Sequence, residues 1–223
     1  MVEPEALDVE HRSGIRVLSI CTANECRSPL AAATIQRTWV IDGPVDAPLI
    51  STSAGVEALA GSSWCEQSAE VAQADGNGHR SRELQVDDLE LATLVLAMDR
   101  TQRAIAARLQ PSVRPRLFTL VQAALLAEHV GSSLKWNGPA DGAPALPSGT
   151  SERIQWLVAE MDAARGALAG MGDEALDITD VHAMDDHRAG LERVRTSAQT
   201  LTEWMIQVAR IDVGVPTVTS VQN

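Results

Sequence analysis

Positive charge, cysteine and long apolar runs are all scarce in this chain, and each scarcity excludes a class of protein. The 223 residues carry 18 Lys and Arg against 30 Asp and Glu, for a net charge of -12 and a sequence pI near 4.8. Nucleic-acid backbones and anionic lipid both demand a basic face that replaces counterions, so neither nucleic acid nor a membrane is expected as a partner. Lys135 is the only lysine, and the arginines are spread along the whole chain rather than gathered into a patch. Any phosphate the protein handles must therefore meet a local positive site. The three cysteines, Cys21, Cys26 and Cys65, are too few and too odd in number for a disulfide-stapled scaffold, which favours a reducing compartment. No stretch of 18 apolar residues occurs, and the acidic, polar start from Met1 to Gly14 lacks the basic beginning and apolar run of a signal peptide. A cytoplasmic location is expected.

What is present suffices for one good core, since 45% of the residues are hydrophobic. The organisation read from the pattern is an acidic disordered leader over residues 1–14, a single domain over 15–211, and a flexible tail over 212–223. Ile15 to Ile20 is a short apolar run rich in β-branched residues, charged only at Arg16, and reads as a buried strand. Ser28-Pro29 reads as an N-cap followed by the first helical position, opening an alanine-rich helix to Trp39. Further strands are predicted at Leu49 to Ser53, Ala92 to Met98 and Arg116 to Leu120. Helices are predicted from Cys65 to Ala74, ending at Gly76-Asn77-Gly78, from Arg100 to Gln110, and in the apolar stretch that follows the fourth strand to His129. Gly131 to Gly149, rich in Gly, Pro and Ser, reads as a loop. Helices follow over Ser151 to Ala169 and from about Asp185 to Ala209. Strands alternating with helices predict an α/β fold, a three-layer sandwich with a central, mainly four-stranded parallel sheet and helices on both faces.

The chemistry concentrates in Cys21-Thr-Ala-Asn-Glu-Cys-Arg27-Ser-Pro, which lies between the first strand and a helix start. A loop of this length can curl until its backbone N–H groups point inward as an anion nest, with the helix N-terminus adding its positive end. A phosphoryl group fits such a nest. The same field favours the thiolate at the first position, where Cys21 can attack phosphorus, and the planar fork of Arg27 can grip equatorial oxygens. The Cys–Arg spacing alone is a weak signal in a chain so rich in arginine. The strand before it, the Ser-Pro start after it, and Asn24 at a position suited to left-handed backbone make it specific.

The run Ile20-Cys-Thr-Ala-Asn-Glu-Cys-Arg-Ser-Pro29 resembles the signature loop of the low-molecular-weight protein tyrosine phosphatases, whose fold and loop are shared by one class of arsenate reductases. The resemblance extends through Ser53-Ala-Gly55, His79-Arg-Ser-Arg82, Leu94-Val-Leu-Ala-Met-Asp99 and Asp177-Ile-Thr-Asp180. It implies that Cys21 is the nucleophile, that Arg27 binds the phosphoryl group, and that Ser28 hydrogen-bonds the thiolate. Thr22, Ala23, Asn24, Glu25 and Cys26 complete the substrate-binding loop. Asn24, Ser53 and His79 form the polar network that keeps it curled, and Thr22 and Leu59 line the pocket rim. Ala23 stands where glycine is common, and Glu25, standing where an apolar residue is common, is expected to face solvent. Cys26 occupies the place of a second cysteine that pairs with the nucleophile under oxidation, or is simply a small buried side chain; Cys65 is read as inert. The segment from about 131 to 169 makes this chain longer than a typical family member and is read as extra packing.

The resemblance assigns the proton donor for the leaving phenolate to Asp180. Val181 and His182 stand where proline and an aromatic residue usually follow, and the sequence has no tyrosine, so the acid's loop and the aromatic wall depart from the family's pattern. His182 is read either as a stacking or proton-transfer group or as an exposed histidine without a role. Asp177, Asp185 and Asp186 are secondary acid candidates. The implied activity is hydrolysis of phosphotyrosine monoesters through a phosphocysteine, with no metal and no cofactor. The implied partners are a phosphotyrosine-containing protein, a bacterial tyrosine kinase among them, and phosphate or another oxyanion in the loop. The competing readings are an arsenate reductase using a small external thiol and a non-catalytic phosphate-binding module.

Overall fold

Alternation along the first strand decides how the layers form. In the computed structural model, which describes residues 14–74, 78–134, 146–180 and 187–211, β1 (Ile15–Cys21) sends Ile15, Val17 and Cys21 to one buried face and Leu18 and Ile20 to the other. A strand buried on both faces belongs at the centre of a parallel sheet. The sheet order is β2-β1-β3-β4, all parallel, with β2 at Leu49–Gly55, β3 at Leu94–Ala97 and β4 at Leu117–Thr119. This is the predicted α/β architecture.

The connections supply the outer layers. On one face lie α1 (Arg27–Asp42), α5 (Leu120–Ser133), α6 (Thr150–Ala163) and α7 (Arg188–Ala209), sharing a cluster that includes Leu30, Ile35, Phe118, Leu126, Leu157 and Leu201. On the other face, α3 (Val86–Leu91) and α4 (Arg100–Leu109) bury Leu89 and Ala106 against Leu18, Ile20 and Val95. A short helix α2 (Glu66–Ala72) packs beside α1 and α7. The open edge of β2 is guarded by a side chain of α1: Gln36 Nε2 donates to Leu49 O at 3.1 Å and its Oε1 accepts from Ser51 N at 2.9 Å. Two of the backbone groups that an edge strand would offer to another chain are thereby occupied.

Several boundaries differ from the sequence reading. Helix α1 begins at Arg27, with Cys26 at the N-cap and no side-chain cap, so Ser28 and Pro29 lie inside the first turn. Ser28 is diverted because its hydroxyl is engaged with Cys21, and Pro29 is tolerated because first-turn N–H groups lack intrahelical partners in any case. Helix α2 ends at Gln73, in the left-handed region at φ 54°, ahead of the glycine cluster, of which 76 and 77 lie outside the described residues. Helix α5 runs on through Gly131 to Ser133, so the predicted loop starts later; residues 135–145 lie outside the described residues. Helix α6 gives way after Ala163 to a 3-10 helix over Ala164–Leu168. Helix α3 was not foreseen, since six residues with one fully buried apolar side chain carry no periodic signal. The leader through residue 13, the tail from 212 and the predicted start of α7 at Asp185 also fall outside the described residues.

The segment read as an insertion enters the core. Ile154, Leu157, Val158 and Met161 of α6 are buried in the shared cluster. Arg153, also buried, donates to Ala209 O at 2.5 Å and Ile211 O at 2.8 Å, placing a cation at the C-terminal end of α7, where the helix dipole is negative. Leu157→Ala is expected to cost about 2–5 kcal/mol of unfolding free energy, the range for a buried leucine truncation. Urea unfolding of the variant and wild type checks this, and an unchanged midpoint would show that α6 is an ornament rather than part of the core.

Candidate active site

β1 ends at Cys21 and α1 begins at Arg27, and the intervening loop turns back at Asn24, whose φ of 57° is left-handed. Asparagine tolerates that region better than most residues. Among the described residues Gln73 is the only other non-glycine there, so Ala23 stands without strain where glycine is common. The turn brings Asn24 N to 3.2 Å from Cys21 Sγ and Ser28 Oγ to 3.0 Å from it. The sulfur thus meets an N–H and a hydroxyl, both able to donate to a thiolate.

The curl is held from inside and outside. The Asn24 side chain donates through Nδ2 to Ser28 Oγ at 3.0 Å and Ser53 Oγ at 2.9 Å, and accepts through Oδ1 from Arg82 N at 3.0 Å. His79 Nε2 donates to Asn24 O at 2.7 Å, which fixes the proton on Nε2 because a carbonyl can only accept. Gly55 packs so tightly under the loop that an added Cβ would lie 2.5 Å from Thr22 O and 2.9 Å from Asn24 N. No larger residue fits without shifting backbone. At the rim, Val56 N and Glu57 N donate to Cys21 O and Thr22 O at 2.9 and 3.0 Å.

Arg27 is buried, and its fork faces a late segment of the chain. Nη1 donates to Ile178 O at 2.9 Å and lies 3.5 Å from Asp99 Oδ2, while Nη2 lies 2.9 Å from Asp180 Oδ2. Asp180 is half-exposed, with 47% of its side chain open to solvent. The site therefore unites a thiol with two donors, a guanidinium and an accessible carboxylate, the components of nucleophilic attack, oxyanion binding and proton transfer.

The remaining expected residues divide. Thr22 and Glu25 are half-buried and Leu59 is exposed. Asp177 serves as an anchor, receiving Arg100 N at 3.1 Å and Arg100 Nε at 2.9 Å, so both of its carboxylate oxygens are engaged by Arg100. Val181, His182, Asp185 and Asp186 lie outside the described residues. Cys26 is buried, and its thiol is held well above the usual thiol range, first by a side-chain hydrogen bond with Cys65 and then by burial and the charges of Cys65 and Cys21, against the opposing pull of Arg27.

Sequence reasoning missed Gln102 and the part played by Asp99. Gln102 is buried, accepts through Oε1 from Met98 N and Asp99 N at 3.0 and 3.1 Å, and donates through Nε2 to Thr22 Oγ1 at 3.1 Å. The available signal was the Asp99-x-x-Gln102 capping box directly after an apolar strand, which the structure forms at the start of α4.

The profile of the family described as low molecular weight phosphotyrosine protein phosphatase matches residues 16–130. A protein-arginine-phosphatase of Geobacillus stearothermophilus is 34% identical over 109 residues, which span 48% of this chain and 70% of that protein. Among solved structures, the YwlE arginine phosphatase from Geobacillus stearothermophilus aligns over 85% of this chain and 91% of its own with a TM-score of 0.54 and 23% identity. A low molecular weight protein tyrosine phosphatase from T. tengcongensis aligns over 86% and 95% with a TM-score of 0.51 and 21% identity. These structural likenesses carry the fold, and the profile and the curated relative carry the kinship: with its cysteine loop matched inside the profile, the chain belongs to the low molecular weight phosphotyrosine protein phosphatase family and is a cysteine-dependent phosphatase.

Proposed function

We propose that Cys21, Arg27 and Asp180 divide the work of hydrolysing phosphotyrosine monoesters in a phosphoprotein. The observation that carries this reading is the juxtaposition around Arg27: its helix starts where the Cys21 loop ends, and its Nη2 lies 2.9 Å from the Asp180 carboxylate. A phosphoryl group gripped by that guanidinium lies between a nucleophile and an acid. Cys21 attacks phosphorus, with its charge held by Asn24 N–H and Ser28 Oγ; Asp180 protonates the departing phenolate, and a phosphocysteine forms. Water, deprotonated by Asp180, then releases phosphate. Asp99 and Ile178 O orient the clamp, while Asn24, Ser53 and His79 keep the loop curled. A cytoplasmic setting keeps such a thiol reduced, and a bacterial tyrosine kinase is one protein of the required substrate class.

A second reading, phosphoarginine as substrate, is favoured by the relative named a protein-arginine-phosphatase. The hydroxyl of Thr22, next to the nucleophile and fixed by Gln102, is polar and suits a guanidinium leaving group. The same residues would act, with Asp180 protonating nitrogen in place of oxygen.

Phosphate release from p-nitrophenyl phosphate, a phosphotyrosine peptide and a phosphoarginine peptide, with and without chelator, separates these readings. Chelator-resistant turnover that vanishes in Cys21→Ser, with phosphate binding retained, is expected; retained turnover in that variant would remove Cys21 as the nucleophile. Preference between the two peptides decides the substrate class. Asp180→Ala is expected to lower turnover about 10²–10⁴-fold on the phosphotyrosine peptide, and less on p-nitrophenyl phosphate, whose leaving group needs little protonation. Equal turnover of the peptide by variant and wild type would move the acid role elsewhere. Asn24→Ala removes the amide that ties the loop to Ser28 and Ser53, and is expected to weaken phosphate binding and turnover together, measured by vanadate inhibition and kcat/KM.

A further inference from the structure

The mechanism leaves Cys26 and Cys65 unused, yet the fold brings them together with care. Cys65 N donates to Glu25 O at 2.7 Å, and Ser68 Oγ donates to Cys26 O at 2.7 Å, so the last turn of the phosphate loop is clasped against the start of α2. Within this clasp the two side chains are hydrogen-bonded to each other, and all three cysteines are free thiols. Cys26 and Cys21 lie in one buried cluster, against which the half-buried Cys65 packs. Cys26 thus stands between the proposed nucleophile and a sulfur nearer the surface.

We infer that Cys65 is a resolving thiol that takes Cys26 as its disulfide partner, so that an oxidation begun at Cys21 is moved to the back of the loop and Cys21 is returned to its reduced form. The inference rests on the reading of Cys21 as the reactive thiolate. With hydrogen peroxide as the oxidant, the Cys21 sulfur attacks one peroxide oxygen, the O–O bond breaks, and hydroxide leaves, giving a sulfenic acid. The Cys26 thiol attacks that sulfur; an S–S bond forms, the S–O bond breaks, and the oxygen departs as water with the thiol's proton. The Cys65 sulfur, giving up its proton, then attacks Cys26 and displaces Cys21 as a thiolate. Two thiols lose two electrons, peroxide gains them, and two waters result.

The direction of the last exchange follows from the local chemistry. Cys65 is the less buried of the pair and packs on Cys26 from outside the loop. Cys21 is the better leaving group because the Asn24 N–H and Ser28 hydroxyl receive its charge. Closing the bond requires the two sulfurs to contract from hydrogen-bond contact to about 2.05 Å, a movement within the reach of the half-exposed Cys65 side chain.

The test treats freshly reduced wild type and Cys65→Ser with one equivalent of hydrogen peroxide, removes the excess with catalase, and follows p-nitrophenyl phosphate turnover without reductant. Disulfides are mapped after digestion with trypsin and a glutamate-specific protease, which cuts between Glu25 and Cys26 and so separates Cys21 from Cys26. Wild type is expected to regain most of its turnover and to yield a Cys26–Cys65 linkage. Cys65→Ser is expected to stay inactive, linked Cys21–Cys26, until a dithiol reductant is added. A final Cys21–Cys26 linkage in oxidised wild type, or a free Cys65, would overturn the inference, as would equal losses of turnover in both proteins. The mapping needs no activity, so it is judged apart from the nucleophile assignment, which fails only if unoxidised Cys21→Ser still turns over substrate.

Discussion

The side-chain amide of Asn24 is the constraint on which the site depends. A loop of five residues between a strand and a helix has many ways to run, and backbone N–H groups turned inward are costly to hold because each gives up an acceptor in water or in regular structure. Asn24 resolves this by taking the left-handed turn itself and using both ends of its amide as anchors, to Ser28 and Ser53 on one side and to Arg82 N on the other. The anchors belong to α1, β2 and the segment after His79, so the loop's shape is dictated by three separate parts of the chain. Ser28 can then offer its hydroxyl to the sulfur, having already accepted a hydrogen bond from Asn24.

The same economy governs the sheet beneath. Because β1 is central and buried on both faces, Cys21 leaves the sheet at its carboxyl end between β2 and β3, the place where parallel α/β sheets bind ligands. Gly55 on β2 comes close enough to accept the loop against its backbone, and Asp99 follows directly on the end of β3 to meet Arg27. Neighbouring strands on either side thus supply a floor and a brace for the element that β1 delivers.

The local part of this arrangement was legible in the sequence. The buried strand into Cys21, the helix after it, the sheet of alternating units and the family of the loop all follow from patterns within about thirty residues, where periodicity and turn chemistry carry information. Ser28 shows where such reading fails: as a sequence element it is a good N-cap, but a tertiary demand for its hydroxyl outweighs the local one. Gln102 and α3 were invisible for a different reason. A buried glutamine bonded to Thr22 is defined by a partner eighty residues away, and a helix of six residues has no period to detect. The thiol pair of Cys26 and Cys65 is likewise a product of folding, since nothing in their spacing announces that α2 will start against the loop.

The bonds of Arg27 to Ile178 and Asp180 join residues 151 positions and more apart, whereas those within the cysteine loop span seven or fewer. In a chain emerging from the ribosome, the loop, α1 and β2 are available long before the carboxylate that pairs with Arg27. Contacts of such long sequence separation form late and slow the final step of folding. The thiol loop is therefore built from residues made early, and the ion pair that joins Arg27 to Asp180 can close only once the last quarter of the molecule has been made.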